Sequence, residues 1–273
     1  LHVTNVGGNT LWRNDGKGRF TEVGERAGAR CGRWSTSAAF GDLDEDGLLD
    51  LYVARYVDWT ATNNKYCGDL ARGLRAYCHP DVYDGEPPCA LLGTGDGRFR
   101  DAGKELGLDI AVGKGLGVVL TDVDGDGHTD IYGANDSTVN YLFLNQGKSG
   151  EGKVRFKDVS LLSGAGFDAN GRAEAGMGVD AGDVDGDGDM DLFVTNLDME
   201  TSTLYRNDGK GRFRDVTLEA GLSLPTLLKV GFGTALADLD LDSDLDVLIA
   251  NGHILDNAEQ LRERVTYAQE AQV

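Results

Sequence analysis

Basic residues, histidines and prolines are scarce in this sequence of 273 residues, and long apolar runs are absent. Because 26 Lys and Arg face 46 Asp and Glu, the net charge is -20, which argues against nucleic acid or an anionic membrane as a partner and favours cations. No apolar run reaches the roughly 18 residues of a membrane-spanning helix, so we expect no membrane insertion. The 4 prolines argue against a proline-rich linker, whereas the 40 glycines indicate many tight turns.

No basic and then apolar segment of the kind expected for a secretory leader opens the given sequence. The first residue is Leu1 rather than Met, which is compatible with the earlier removal of a leader or of a preceding domain. The hydrophobic content of 40% is enough for the core of one large domain or two smaller ones.

Two sequence phrases alternate along the chain. The first has an apolar start, the pattern D-x-D-x-D-[GS]-x-x-D and an apolar run rich in β formers, and it covers residues 41–56, 121–136, 182–197 and 237–252. The second reads as strand, glycine turn and strand, which predicts a hairpin, and it covers residues 11–23, 91–102, 142–159 and 204–216. Later copies of the first phrase start about 55 to 60 residues apart, and about four short strands per period favour a β-propeller blade over a solenoid coil.

The first phrase has the carboxylate spacing of a calcium-binding loop. Carboxylates at positions 1, 3, 5 and 9 can surround one hard cation, the backbone carbonyl of position 7 adds a ligand, and glycine at position 6 makes the sharp turn. Ca²⁺ accepts this crowded oxygen shell, whereas Mg²⁺ retains its waters and transition metals favour His or Cys. A single copy could be a solvated acidic turn, but four copies favour about four Ca²⁺ sites. The flanking residues alternate as in strands, so each loop is expected to join two strands.

We call these segments aspartate loops 1 to 4; they span residues 42–50, 122–130, 183–191 and 238–246. The candidate metal ligands are Asp42, Asp44, Asp46, Leu48 and Asp50 in loop 1, Asp122, Asp124, Asp126, His128 and Asp130 in loop 2, Asp183, Asp185, Asp187, Asp189 and Asp191 in loop 3, and Asp238, Asp240, Asp242, Asp244 and Asp246 in loop 4. Those at position 7 are expected to act through the backbone carbonyl. Ser243 replaces Gly at position 6 of loop 4, so we expect this loop to bind most weakly.

The repeated loops resemble the FG-GAP, or VCBS-type, repeat family, whose calcium loops lie between strands of propeller blades, as in the head of integrin α chains. Within it, the segments YCGDLARGLRAYCHPDVYDG (66–85), LYRNDGKGRFRDVT (204–217) and ANGHILDNAEQLR (250–262) are similar to proteins related to cartilage acidic protein, which often carry an ASPIC/UnbV segment. The resemblance implies an all-β fold, a β-propeller of FG-GAP-type repeats of which four are seen. It also implies an extracellular, calcium-binding scaffold.

Four cysteines, Cys31, Cys67, Cys78 and Cys89, form no C-x-x-C pair, and they allow three pairings. Because calcium loops indicate a compartment outside the cytosol, we expect disulfides rather than free thiols. We favour Cys67 with Cys78, which closes a short loop that has little core of its own. Cys31 then pairs with Cys89 by exclusion.

The expected function is that of a secreted or cell-surface scaffold that binds a protein or glycan, or assembles with copies of itself. Only four histidines occur, and no G-x-S-x-G or H-E-x-x-H pattern places a base beside a nucleophile or metal. We therefore expect no catalytic residues and no enzyme activity. The alternative is a calcium-dependent enzyme that acts on an extracellular polysaccharide.

We expect residues 1–253 to form the repeats, with an insertion near 57–90, and residues 254–273 to form a helical or connecting segment. The sequence starts with a hairpin phrase that no aspartate loop precedes, and its last aspartate loop is followed by no hairpin phrase. Three arrangements are open: a closed four-bladed monomer, joining of half-blades between copies into a ring or filament, and a portion of a larger propeller.

Overall fold

The computed structural model describes residues 1–110 and 112–273 and shows an all-β fold of small antiparallel sheets. The strands are β1 (His2–Val3), β2 (Thr10–Asn14), β3 (Phe20–Glu22), β4 (Ser35–Gly41), β5 (Asp50–Arg55), β6 (Cys67–Asp69), β7 (Leu74–Ala76), β8 (Cys89–Gly93), β9 (Phe99–Asp101), β10 (Gly115–Thr121), β11 (Asp130–Asn135), β12 (Tyr141–Lys148), β13 (Val154–Asp158), β14 (Val179–Gly182), β15 (Asp191–Val194), β16 (Thr203–Asn207), β17 (Phe213–Asp215), β18 (Gly231–Ala237) and β19 (Asp246–Asn251). The helices are short: α1 (Gly24–Ala27), α2 (Gly103–Leu106), α3 (Ser223–Thr226), α4 (Ala258–Leu261) and one 3₁₀ turn (Pro80–Val82).

Each aspartate loop joins the first two strands of one sheet, and we number the sheets by their loops. Sheet 1 has the order β4-β5-β8-β9, sheet 2 β10-β11-β12-β13, sheet 3 β14-β15-β16-β17 and sheet 4 β18-β19, while the N-terminal sheet has the order β1-β2-β3. The second sequence phrase forms the hairpins β2–β3, β8–β9, β12–β13 and β16–β17. The loop-between-strands and hairpin predictions are therefore confirmed.

The second strand of each full sheet is apolar on both faces because both faces are covered. In β5, Leu51 and Val53 pack toward the N-terminal sheet, whereas Tyr52 packs toward sheet 2. In β15, Leu192 contacts the cluster shared with sheet 2, and Phe193 contacts the cluster shared with sheet 4. Because side chains alternate along a strand, one strand contributes side chains to the hydrophobic clusters on both of its faces.

The hydrophobic core lies between consecutive sheets, so the sheets pack face to face in chain order. One cluster joins the N-terminal sheet to sheet 1, and further clusters join sheets 1 and 2, sheets 2 and 3, and sheets 3 and 4. The first strands follow the same order, since β4 contacts β10, β10 contacts β14 and β14 contacts β18. The described strands do not close into a barrel.

The insertion after β5 carries the hairpin β6–β7, which the Cys67–Cys78 disulfide spans with a Cα–Cα distance of 5.1 Å. The other disulfide joins Cys31 to Cys89 at a Cα–Cα distance of 6.0 Å, so both expected pairings are present. Strand β8 begins at Cys89, and the last two residues of the segment expected as an insertion therefore belong to sheet 1.

The segment after β19, expected to be helical or connecting, is mostly non-helical. Only Ala258–Leu261 is helical, and Arg264 has a left-handed φ of 64°, which a continuing helix does not permit. Its apolar side chains instead form a small cluster with Ala76 of the insertion hairpin. Further on, Gln272 pairs with Ile249 through two backbone hydrogen bonds, which places it beside β19.

None of the helices in the described residues is long and apolar enough to cross a membrane.

Candidate metal sites

Each aspartate loop brings together the carboxylates of positions 1, 3 and 9. The four groups are Asp42, Asp44 and Asp50; Asp122, Asp124 and Asp130; Asp183, Asp185 and Asp191; and Asp238, Asp240 and Asp246. Within each group, one oxygen of every carboxylate lies within 4.8 Å of the others. Ligand oxygens at 2.3 to 2.6 Å from one Ca²⁺ are at most about 5 Å apart, so this spacing suits a single calcium ion.

The aspartate at position 9 also fixes the loop to the sheet. Asp50 is buried at the start of β5, and its two oxygens accept backbone N–H groups from Leu43 at 2.7 Å and from Gly93 at 2.8 Å. Leu43 lies at position 2 of the loop, and Gly93 lies on the third strand of the same sheet. Asp130 and Asp191 accept the equivalent pairs of N–H groups. The position-9 carboxylate therefore sets the geometry of the loop and offers one edge of a cation site.

Positions 1 and 5 hold the turn of the loop. The carboxylate of Asp122 accepts the backbone N–H groups of Gly125 and Gly127, both at 2.8 Å. Asp126, at position 5, accepts the N–H of His128 at 2.9 Å, and the equivalent bond occurs in all four loops. The position-5 aspartates, expected as ligands, thus lie outside the three-carboxylate groups and point one oxygen at the backbone of position 7.

The electrostatics of the groups favour a bound cation. Burial raises the pKa of Asp44 and of Asp124, and the neighbouring loop aspartates raise it further. Burial also raises the pKa of Asp130 to about 7. Among the described residues, Asp44 Oδ1 is buried without a hydrogen-bond partner. A hard cation would supply that partner and offset the repulsion between the carboxylates, so the donor set fits Ca²⁺.

Position 7 is Leu48 in loop 1, His128 in loop 2, Asp189 in loop 3 and Asp244 in loop 4, and none of these side chains belongs to a three-carboxylate group in the described residues. The ring of His128 contacts loop 1, where its Nδ1 lies 2.6 Å from Oε1 of Glu45. Lys148 Nζ donates to the carbonyl of the same Glu45 at 2.6 Å. These contacts join loops 1 and 2 at the surface.

Loop 4 has two strained backbone positions, and its position-9 aspartate accepts fewer hydrogen bonds than those of the other loops. Leu241 at position 4 and Ser243 at position 6 have left-handed φ values of 67° and 80°, where loops 2 and 3 have glycine at both positions. This conformation costs a residue with a Cβ about 1 kcal/mol or more. Asp246 is only half-buried and accepts one backbone N–H, from Leu239 at 2.9 Å, in the part of the chain that the structure describes.

An FG-GAP-like repeat model matches residues 1–53, 122–194 and 183–249 of this sequence. The chain belongs to the FG-GAP-like repeat family. The matched segments include all four aspartate loops in full. Repeats of this family commonly bind calcium, which agrees with the donor set.

Curated relatives of this FG-GAP-like repeat protein include cartilage acidic protein 1 from Homo sapiens and Xenopus tropicalis. The human protein is 28% identical over 267 residues, which cover 86% of this chain and 38% of the relative. The Xenopus protein is 30% identical over 274 residues, which cover 85% of this chain and 40% of the relative. The chain therefore spans about two fifths of the length of these relatives.

Two solved structures align with most of the FG-GAP-like repeat chain. An exotype rhamnogalacturonan lyase gives a TM-score of 0.41 with 15% identity, covering 90% of this chain and 41% of that one. A lectin from Agrocybe aegerita that recognises terminal N-acetylglucosamine gives a TM-score of 0.36 with 16% identity, covering 91% of this chain and 70% of that one. At such low TM-scores, neither likeness carries a functional argument.

Two asparagines of the FG-GAP-like repeats contact the loops and were not predicted from the sequence. Asn145 and Asn207 are fully buried, and their backbone N–H groups donate to Asp130 at 2.8 Å and to Asp191 at 2.7 Å. Each begins an Asn-x-Gly turn in the second sequence phrase, and the side-chain oxygen accepts the N–H of that glycine at 3.0 Å. The Asn-x-Gly pattern is visible in the sequence, but by itself it predicts only a turn.

Proposed function

We propose that the protein is an extracellular scaffold whose FG-GAP-like repeats are held in shape by calcium ions at the four aspartate loops. The observation that carries this proposal is the repetition of one three-carboxylate group at the same place in four sheets. In sheets 1 to 3 the group includes the aspartate that ties the loop to the third strand. When bound, Ca²⁺ would neutralise these carboxylates and strengthen the fold.

The sheets are proposed to be blades of a β-propeller. The support is that full sheets have four antiparallel strands, pack face to face in chain order and place their first strands side by side. First strands in that position surround the axis of a propeller. Phe20 of the N-terminal sheet and Phe232 of sheet 4 are 48% and 46% exposed, which suits packing of these end sheets against another sheet.

An extracellular location is supported by the chemistry of the chain. Two disulfides close loops in the protein, and disulfides persist mainly in oxidising compartments. Calcium sites of extracellular modules bind with dissociation constants of roughly 10⁻⁴ to 10⁻³ M, which suffices where calcium is millimolar.

The proposed activity is binding rather than catalysis, with a protein, a glycan or another copy as the partner. The loop carboxylates are engaged with backbone N–H groups and with the proposed ion, which makes them poor proton carriers. Incubation with extracellular polysaccharides in the presence of Ca²⁺ distinguishes binding from the alternative function, that of an enzyme. Release of soluble product from a polymer would favour a calcium-dependent enzyme.

Calcium titration and thermal unfolding test the role of the ion. We expect about four sites by isothermal titration calorimetry and a melting temperature that falls when EDTA removes calcium. An ion at 100 times its dissociation constant adds about 2.7 kcal/mol per site to the free energy of unfolding. The combined variant Asp44→Ala, Asp124→Ala, Asp185→Ala and Asp240→Ala should melt lower in calcium and respond little to EDTA.

Asp256→Ala is the matched control because Asp256 is exposed and lies outside the loops. It should retain both the four sites and the response to EDTA. A wild-type protein that takes up no Ca²⁺ at millimolar concentration, and melts at the same temperature in EDTA, would exclude this function.

A further inference from the structure

A continuous path of hydrogen bonds connects loops 1 and 2. The carboxylate of Asp50 accepts the N–H of Leu43, and the carbonyl of Leu43 accepts the side-chain amide of Asn145 at 3.4 Å. The backbone N–H of Asn145 then donates to the carboxylate of Asp130 at 2.8 Å. The path therefore runs from the position-9 aspartate of one loop to that of the next through one buried asparagine.

The same path connects loops 2 and 3, with a shorter bond from the asparagine side chain to the position-2 carbonyl. Asp130 accepts the N–H of Val123 at 3.0 Å, and the carbonyl of Val123 accepts the side-chain amide of Asn207 at 2.7 Å. The backbone N–H of Asn207 donates to Asp191 at 2.7 Å. Its side-chain amide also donates to Met190 within loop 3 at 3.0 Å. One residue thus holds the position-2 carbonyl of loop 2 and, through its side chain and its backbone N–H, two points of loop 3.

Loops 3 and 4 lack such a path within the described residues. Sheets 3 and 4 still touch, because Leu236 donates its N–H to Asp180 at 2.8 Å, but neither residue belongs to a loop. At the other end, Asn14 forms the same turn bond to Gly16 at 2.9 Å, yet it is exposed and contacts no loop. Loops 3 and 4 therefore serve as a loop pair without the path, and Asn14 serves as a control residue outside it.

We propose that Asn145 and Asn207 are positioning residues that couple neighbouring calcium loops, so that Ca²⁺ binds cooperatively along loops 1, 2 and 3. This inference rests on the proposed calcium binding. An ion at loop 2 fixes Asp130 and, through it, the peptide at Val123. A fixed Val123 carbonyl orients the side-chain amide of Asn207, which holds Met190 in loop 3, while the backbone N–H of the same residue holds Asp191. Buried hydrogen-bond networks of this kind transmit such ordering because each group has only one well-bonded arrangement.

The test measures calcium affinity at loop 3 by isothermal titration calorimetry. Asp44→Ala and Asp240→Ala leave only loops 2 and 3, and a further Asp124→Ala then disables loop 2. We expect loop 3 to bind at least about 5-fold more weakly once loop 2 is disabled, the lower end of typical coupling between sites. With Asn207→Ala added to both proteins, the ratio should fall to about 1. Val123 keeps a second donor, the N–H of Gly211 at 3.0 Å, so its carbonyl is not left unpaired.

A parallel comparison needs no change at Asn207. In a protein that retains only loops 3 and 4, disabling loop 4 by Asp240→Ala should leave the affinity of loop 3 unchanged. Asn14→Ala, the positional control, should leave the coupling of loops 2 and 3 intact. If Asn207→Ala fails to fold, the proposal is tested by the two loop pairs alone. Disabling loop 2 should then weaken calcium binding at loop 3, whereas disabling loop 4 should not.

Independent binding at loops 2 and 3, or equal coupling in both loop pairs, would overturn the proposal. Coupling that persists in a folded Asn207→Ala protein would also overturn it. These results differ from failure of the calcium function itself, which would appear as no binding heat at any loop.

Discussion

At the residue scale, the same aspartate serves two purposes in each repeat. The position-9 carboxylate accepts backbone N–H groups that shape the loop, and it also faces the other carboxylates of the candidate ion site. Removing the ion and removing the carboxylate should therefore not be equivalent changes. Loss of the ion leaves the hydrogen bonds, whereas loss of Asp130 leaves buried N–H groups unpaired at a cost of about 1 to 3 kcal/mol each.

Removing backbone strain from loop 4 should strengthen calcium binding at that loop. Leu241 is 85% exposed and Ser243 has a φ of 80°, so glycine at both positions removes strain and sacrifices little packing. We expect Leu241→Gly with Ser243→Gly to raise the calcium affinity of loop 4 and to stabilise the calcium-bound protein by about 1 kcal/mol. Calorimetric titration and the melting temperature in calcium measure the two effects. Gly127→Ser, in loop 2, is the reverse change and should weaken binding there.

Glu174 gives the protein a pH dependence that is separate from the loops. Burial raises its pKa to about 7, and its carboxylate accepts hydrogen bonds from Thr203 at 2.7 Å and Asn196 at 2.8 Å. Because the folded pKa exceeds the unfolded value of about 4.3, its contribution to stability is full below about pH 4.3 and is lost as the pH rises through 7.

We therefore expect Glu174→Gln, which retains an acceptor oxygen, to melt progressively higher than wild type as the pH is raised from 5 to 8. The comparison is made by thermal unfolding in saturating calcium, where the loop carboxylates stay bound. Glu151→Gln removes one exposed negative charge and is the control. A difference that shrinks as the pH rises would contradict the assignment.

The residues of the candidate sites were only partly predictable. The pattern D-x-D-x-D gives the repeat and the acidic character, and the structure groups positions 1, 3 and 9. Side-chain direction at position 5 depends on the turn, where a local hydrogen bond to the position-7 N–H competes with metal binding. The contacts of Asn207 depend on how two sheets pack, and no local pattern carries that information.

At the element scale, hairpins and loop positions follow from local chemistry, but the ends of elements do not. Asn-x-Gly and Asp-Gly turns between alternating residues predict hairpins because glycine adopts the left-handed turn conformation. Apolar residues recur at helical spacing in 254–273, but only Ala258–Leu261 is helical, and Leu255, Ala258 and Val265 are buried in a cluster that includes the distant Ala76. Burial against a distant element can produce the same spacing without a helix.

The insertion hairpin should depend on its disulfide more than the sheets do. Cys67 and Cys78 bracket β6 and β7, which form a separate two-stranded sheet, and isolated hairpins are marginally stable in water. The double variant Cys67→Ser with Cys78→Ser should be cut by proteases within 57–88 much faster than wild type, with little change in the main melting transition. Limited proteolysis with mass spectrometry locates the cuts. Faster cutting at the aspartate loops instead would show that the hairpin supports the sheets.

At the scale of the whole molecule, charge repulsion opposes the fold unless cations offset it. Four bound Ca²⁺ ions carry eight positive charges and would change the formal net charge from -20 to -12. Salt screens repulsion between carboxylates, with a Debye length of about 10 Å at 0.1 M. We expect added NaCl to raise the melting temperature more in EDTA than in calcium. Equal salt effects in both conditions would argue that the loops do not carry the repulsion.

The Cys31–Cys89 disulfide has a consequence for the fate of the protein after cleavage. The bond encloses the whole insertion, because residues 57–88 lie between the two cysteines. A protease that cuts the exposed hairpin would therefore leave two fragments that remain covalently joined, with sheet 1 still bonded to the segment before β4. Such a nicked protein would migrate as one species without reductant and as two with it, so cleavage of the insertion would not separate the two parts of the chain.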